Sequence, residues 1–137
     1  MELVGQLKPL LRVTLLVNGV GDLLLAANPG NAGVELLRAS AFKSYLARTD
    51  AAPAVVDFLC AAFAIHGALR IYASLNIDSK HGRAVGAMSW LGEWLLLFQL
   101  REYLDPIAQP LFTAPLFWGG ALLLLAQTDG GAQKKRQ

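Results

Sequence analysis

Ile107–Thr128 reads IAQPLFTAPLFWGGALLLLAQT, an uninterrupted run of 22 residues without a formal charge. At about 1.5 Å per residue a helix of that length spans about 33 Å, enough to cross a hydrocarbon core roughly 30 Å thick. Pro110 and Pro115 fall in its first half. Membrane helices tolerate proline where neighbouring helices or water take up the freed carbonyls. Gly119 and Gly120 remove side-chain bulk just beyond and permit close approach of another helix.

Composition points the same way. The chain has 137 residues, of which 55% are hydrophobic and 16% charged, where a soluble domain carries about 25% charge. Three further runs read as spans. Leu10–Ala27 holds ten Leu or Val residues interrupted by Arg12, Asn18 and Asp22; on the insertion scale its apolar residues outweigh one central aspartate. Asn18 and Asp22 break the apolar region that a cleaved leader would need, so a retained helix is expected. Ala54–Leu75 contains Asp57, His66 and Arg70, and Ala84–Leu100 holds Glu93 between Trp90 and Trp94. The short polar link Asn76–Arg83 predicts a tight antiparallel hairpin.

The expected fold is therefore all-α: an integral membrane four-helix bundle forming one domain over 1–137, with spans at about 10–27, 54–75, 84–100 and 107–128. Asn28-Pro29-Gly30-Asn31 stops the first span. Val34–Leu46 places Val34, Leu37, Ala41 and Tyr45 near one stripe and predicts a short amphipathic helix in the first loop. Residues 129–137 read as a polar tail. Lys8, Arg12, Lys80, Arg83, Lys134, Lys135 and Arg136 fall on one side of four alternating spans, against Arg38, Lys43, Arg48 and Arg101 on the other, which places both termini in the cytoplasm.

Several function classes lack their residues. With 12 basic and 10 acidic residues spread along the chain there is no basic stripe for a nucleic acid. A single cysteine, Cys60, excludes an internal disulfide and a cysteine-based zinc site. No spacing sets a Ser or Cys beside a base, and Gly19-Val20-Gly21 is too short for a phosphate loop. His66 reads as a packing residue rather than a metal ligand. Neither a catalytic group nor a cofactor is expected.

Charged groups inside a bilayer are costly, and each is a functional candidate by default. Here these are Asp22, Asp57, Arg70 and Glu93, with His66 beside them. His66 and Arg70 are four apart and share a helix face, whereas Asp57 lies nine before His66 on roughly the opposite side. A pair from Arg70 to Glu93 or Asp22 would have to cross between helices. Such contacts read first as structural, fixing helix packing, and second as groups handling a proton or ligand.

The chain ends Lys134-Lys135-Arg136-Gln137, with lysines fourth and third from the end. That resembles the dilysine retrieval signal of endoplasmic-reticulum membrane proteins, which requires a cytoplasmic tail. Arg70, Ala73, Asn76 and Lys80 in RIYASLNIDSK, Ala47-Arg48-Thr49, and Leu100-Arg101-Glu102 resemble local motifs of the ergosterol biosynthesis protein 28 family, with Phe98 standing where that family has a histidine one turn before the glutamate. The order of four spans and a basic end is also similar to that family. The resemblance implies a non-catalytic scaffold in the endoplasmic reticulum that tethers sterol C-4 demethylation enzymes, with other integral membrane proteins as partners through helix packing and the bilayer around it. Two rival readings use the same residues. One is an accessory subunit of a large respiratory or photosynthetic complex in a mitochondrial or plastid membrane; the other is a transporter or channel subunit whose Asp22, Asp57, His66 and Glu93 line a polar route.

Overall fold

A computed structural model of the chain describes residues 2–27, 52–99, 101 and 110–133. These form four helices and no strands: α1 Glu2–Ala27, α2 Ala52–Leu75, α3 Lys80–Gln99 and α4 Pro110–Gln133. The amphipathic helix expected at Val34–Leu46, together with Tyr103, Glu102, Lys134 and Lys135, lies outside the described residues.

Boundaries differ from the expectation in three places. α1 begins two turns before Leu10 and carries Pro9 within it. α3 begins at Lys80 rather than Ala84, because Ser79 caps it: the Ser79 hydroxyl accepts from the Gly82 N–H at 2.9 Å, the N-cap bond that satisfies a free donor of the first turn. Residues 129–133, expected in the polar tail, continue α4; helical hydrogen bonding does not stop where apolar character stops.

Successive helices run antiparallel. α1 packs along α2, α2 on α3, and α3 along α4, while α1 and α4 meet only locally. The start of α1 thus lies beside the α2–α3 turn, where Arg12 Nη2 reaches Asp78 Oδ2 at 2.5 Å. Inside the turn Arg83 is 1% exposed and its Nη1 donates to the carbonyls of Ile77 at 2.8 Å and Asp78 at 2.9 Å. Arg83, counted from the sequence among the cations on one side of the spans, fastens the turn. Gly82 is obligatory there, since a β-carbon would collide with the Asn76 carbonyl.

Helices approach closely where glycines face each other. A β-carbon on Gly19 would lie 2.9 Å from the Gly67 carbonyl oxygen, and one on Gly67 would lie 2.8 Å from that of Gly19, so α1 and α2 cross backbone against backbone. Gly119 meets Leu91 and Trp90 of α3, whereas Gly120 faces open space. The core lies toward the α2–α3 turn and is made of Leu11, Leu15, Ala73, Ile77, Ala87, Trp90, Leu122 and Leu125.

Several polar groups lie inside beside the apolar core, and several large apolar side chains lie outside. Asp22, Arg70, Ser74, Arg83 and Ser89 are buried, while Val17 is 64% exposed, Leu24 63% and Phe117 67%. Polar side chains along the helices bond to their own backbone: Asn18 Nδ2 donates to Thr14 O at 2.8 Å and Ser74 Oγ to Ile71 O at 2.8 Å. Gln6–Ala27 is long and apolar enough to cross a membrane; Cys60–Leu75 and Thr113–Gln127 are apolar but shorter among the described residues.

The glycine pairs give a paired prediction. Gly67→Ala should destabilise the bundle by about 1–3 kcal/mol through overpacking, whereas Gly120→Ala, in open space within a helix, should be neutral or stabilising by about 0.5–1 kcal/mol. Thermal unfolding of the two variants in detergent, followed by circular dichroism, checks the opposite signs.

Candidate functional site

The Gly19–Gly67 crossing decides where the charged groups meet. Asp22 lies three residues after Gly19, and Arg70 three after Gly67. Residues three apart share a helix face, so backbones touching at the glycines bring these two side chains together. Arg70 Nη1 donates to Asp22 Oδ2 at 2.5 Å.

α3 supplies the other half. Its Glu93 Oε2 accepts from Arg70 Nη2, and the Arg70 guanidinium carbon stands 3.7 Å from the centroid of the Trp90 ring. Trp90 is three residues before Glu93, on the same face. One guanidinium therefore joins α1, α2 and α3, holding a carboxylate at each terminal nitrogen and an indole against its plane. The Arg70 and Asp22 side chains are only 2% and 11% exposed, and Glu93 is 25% exposed. Only arginine offers two terminal nitrogens in a fixed fork and a flat face at once. Arg70 Nε and Trp90 Nε1 are buried without an acceptor among the described residues.

His66, one turn before Arg70, meets α3 at a neighbouring level: its Nδ1 is 3.4 Å from Ser89 Oγ, and the Ser89 hydroxyl lies 3.5 Å from the His66 carbonyl oxygen. These are long contacts at the limit of a hydrogen bond. His81 stands apart in an edge-on contact with Tyr72, with ring centroids 6.0 Å apart.

Of the five candidate residues, Asp22, Arg70 and Glu93 form one network and His66 adjoins it. Asp57 does not join: it is exposed, on the first half of α2. Sequence reasoning missed Trp90 and Ser89 as members of the site. The signal was present, since Ser89 and Trp90 stand four and three residues before Glu93, but tryptophan beside an acidic residue reads equally as an interfacial anchor. Trp90 is 5% exposed and part of the core. Among the described residues no group of three or more His, Cys, Asp or Glu is placed to hold a metal ion.

Chemically the arrangement is a brace. It sets one cation between two carboxylates, and it fixes the rotation of three helices about their axes. Comparison with protein-family models, curated proteins and solved structures gives no match.

Removing the shared cation leaves the buried Asp22 carboxylate and the partly exposed Glu93 carboxylate unpaired, and breaking a buried pair typically costs about 3–5 kcal/mol. Arg70→Leu should therefore lower stability by about that amount, and Arg70→Lys should recover only part of it, because one ammonium cannot reproduce the fork. Asp57→Asn should change little. Denaturant unfolding of the detergent-solubilised chain orders the three variants.

Proposed function

We propose that this protein is an integral membrane four-helix bundle acting as a non-catalytic scaffold, retained in the endoplasmic reticulum, where it holds enzymes of sterol biosynthesis together. The observation that carries the membrane reading is buried charge together with large apolar side chains outside, with Arg70 1% exposed and Phe117 67% exposed. In water such a particle would leave its large apolar side chains wet while burying ionised ones, and both choices oppose folding. In lipid both are expected, because apolar side chains meet acyl chains and charged groups turn inward to partners.

The scaffold reading rests on what the charged groups do. Arg70, Asp22 and Glu93 are engaged with one another across three helices, a use that rigidifies the bundle. On its outward side α1 presents Leu10, Val13, Val17, Val20 and Leu24, all exposed. They recur at alternating spacings of three and four, the periodicity of a helix seam. A rigid bundle with such a face suits lateral contact with the helices of other membrane proteins. The choice of compartment rests on Lys134 and Lys135 near the chain end and on the resemblance to the ergosterol biosynthesis protein 28 family.

Two measurements test this in sequence. The protein should stay with the membrane pellet after an alkaline wash; release into the supernatant would end the membrane reading. A tagged copy should lie in the endoplasmic reticulum and copurify in mild detergent with sterol C-4 demethylation enzymes, and Lys134→Ala with Lys135→Ala should let it escape to later compartments. A mitochondrial or plastid location would favour the accessory-subunit reading instead.

A further inference from the structure

Two features of α1 have no role in the brace. Its outward face, Leu10, Val13, Val17, Val20 and Leu24, is exposed along its length. At the edge of that face, a β-carbon on Gly21 would find nothing within 4 Å. We propose that this face is a self-association surface: a second copy of the chain packs its α1 in parallel along the first, with Leu16 of each copy set against Gly21 of the other.

The occupant follows from the spacing. Leu10, Val17 and Leu24 take the first core position of a heptad, and Val13 and Val20 the second, the pattern whose side chains interlock with those of a facing helix. Leu16, just before Val17, flanks the seam on one edge; Thr14 and Gly21, just after Val13 and Val20, flank it on the other. In a parallel pair these two edges lie across from each other, the residue before a first core position opposite the one that follows the next second core position on the partner helix. The exposed Leu16 side chain therefore meets bare Gly21, and a two-fold axis makes that contact twice. A bulky edge beside a bare one is a shape that matches its own copy. Glycine weakens a helix, and no neighbour within the chain requires one at Gly21; close approach of a second backbone does.

The other outward faces are less suited. That of α2 carries the exposed Asp57 beside Phe58, and that of α4 carries exposed Thr113 and Gln127 around Gly120. On α1 the charged side chains are turned elsewhere, Asp22 to Arg70 and Arg12 to Asp78. The seven exposed Leu and Val residues from Leu10 to Leu24 present roughly 600 Å², so two copies would cover about 1,200 Å² in all, the size at which stable pairs begin. The pairing gives the α1 face of the scaffold reading a defined occupant. Its parallel sense rests on the membrane part of that reading, since copies inserted the same way hold α1 in one direction.

Sedimentation equilibrium of the full chain in density-matched detergent should give the mass of two copies. Gly21→Leu should raise the dissociation constant about tenfold or more, because the added side chain overpacks both symmetric contacts. Gly120→Leu, at another glycine facing open space, should leave the mass of two copies unchanged. Both variants should keep the wild-type circular dichroism, since neither new β-carbon meets a neighbour within the chain. In phosphatidylcholine vesicles, Leu10→Cys on a Cys60→Ser background should oxidise to a covalent dimer, which only the parallel sense allows, whereas Ile65→Cys on α2 should not. A wild type that sediments as one copy would overturn the proposal, whether or not other proteins copurify with it. So would a Gly21→Leu chain that stays paired, an equal loss in Gly120→Leu, or failure of the Leu10→Cys link. Release by the alkaline wash would end the membrane reading and the reason for the parallel sense, while the Gly21→Leu comparison still decides whether copies pair.

Discussion

The Arg70 guanidinium sits where three helices meet and water does not reach, and most of the arrangement follows from keeping it there. A buried cation needs acceptors at fixed distances, and its partners here come from two other helices. Arginine side chains on a helix lean toward the N-terminus of their own segment, so a residue near the end of α2 delivers its charge toward the middle of the bundle. Glu93 lies about 20 Å along α3 from Lys80 at about 1.5 Å per residue. The hairpin between them is therefore kept short: Ser79 caps α3 at once, and Arg83 ties the turn from inside. A longer connection would leave the register of Glu93 against Arg70 undetermined.

The brace in turn requires bare backbone on one side. Asp22 is a short side chain, and it reaches Arg70 because Gly19 and Gly67 let the main chains touch. The same logic recurs at Gly86, whose neighbours are Ala73, Leu122 and Leu15, and at Gly119 against Leu91. Such crossings hold through close van der Waals contact and through hydrogen bonds across the interface. Four glycines at crossings and one charged network at their centre supply those two terms. The exposed Arg12–Asp78 pair at the bundle end adds little by comparison, being largely solvated.

The helices were legible because long apolar runs with at most two or three charged residues have few other uses. Their ends were less so: the period and composition of a run carry no information on whether Ser79 will cap or Thr128 will be passed through. The site was half legible. Burial of Asp22 and Arg70 follows from their setting in apolar helices, where ionised groups turn inward to partners, and the shared face of His66 and Arg70 follows from spacing. Which acid Arg70 would choose does not, because spacing rules relate residues of one helix, and a cross-helix pair depends on the rotation and depth set by Gly19 and Gly67. Asp57 shows the limit from the other side. It is a charged residue in an apolar segment like the rest, yet it stands about 20 Å along α2 from Arg70 at helical rise and remains exposed.

That separation bears on how the charged groups work. A polar route across a bundle needs titratable or polar side chains at successive depths, each able to pass its load to the next. Here Asp22 and Glu93 are drawn to a single guanidinium, His66 turns to Ser89 at the adjoining level, and the face of Arg70 is covered by Trp90. Charge is gathered at one level and held from several directions. Such a cluster resists the rearrangement that transfer would need, and it gives the surrounding helices one preferred rotation. Because α1 is locked by Asp22, the stripe from Leu10 to Leu24 faces outward in a single orientation. The apolar face is thereby fixed in shape, and the buried charge sets what the outside of the bundle presents.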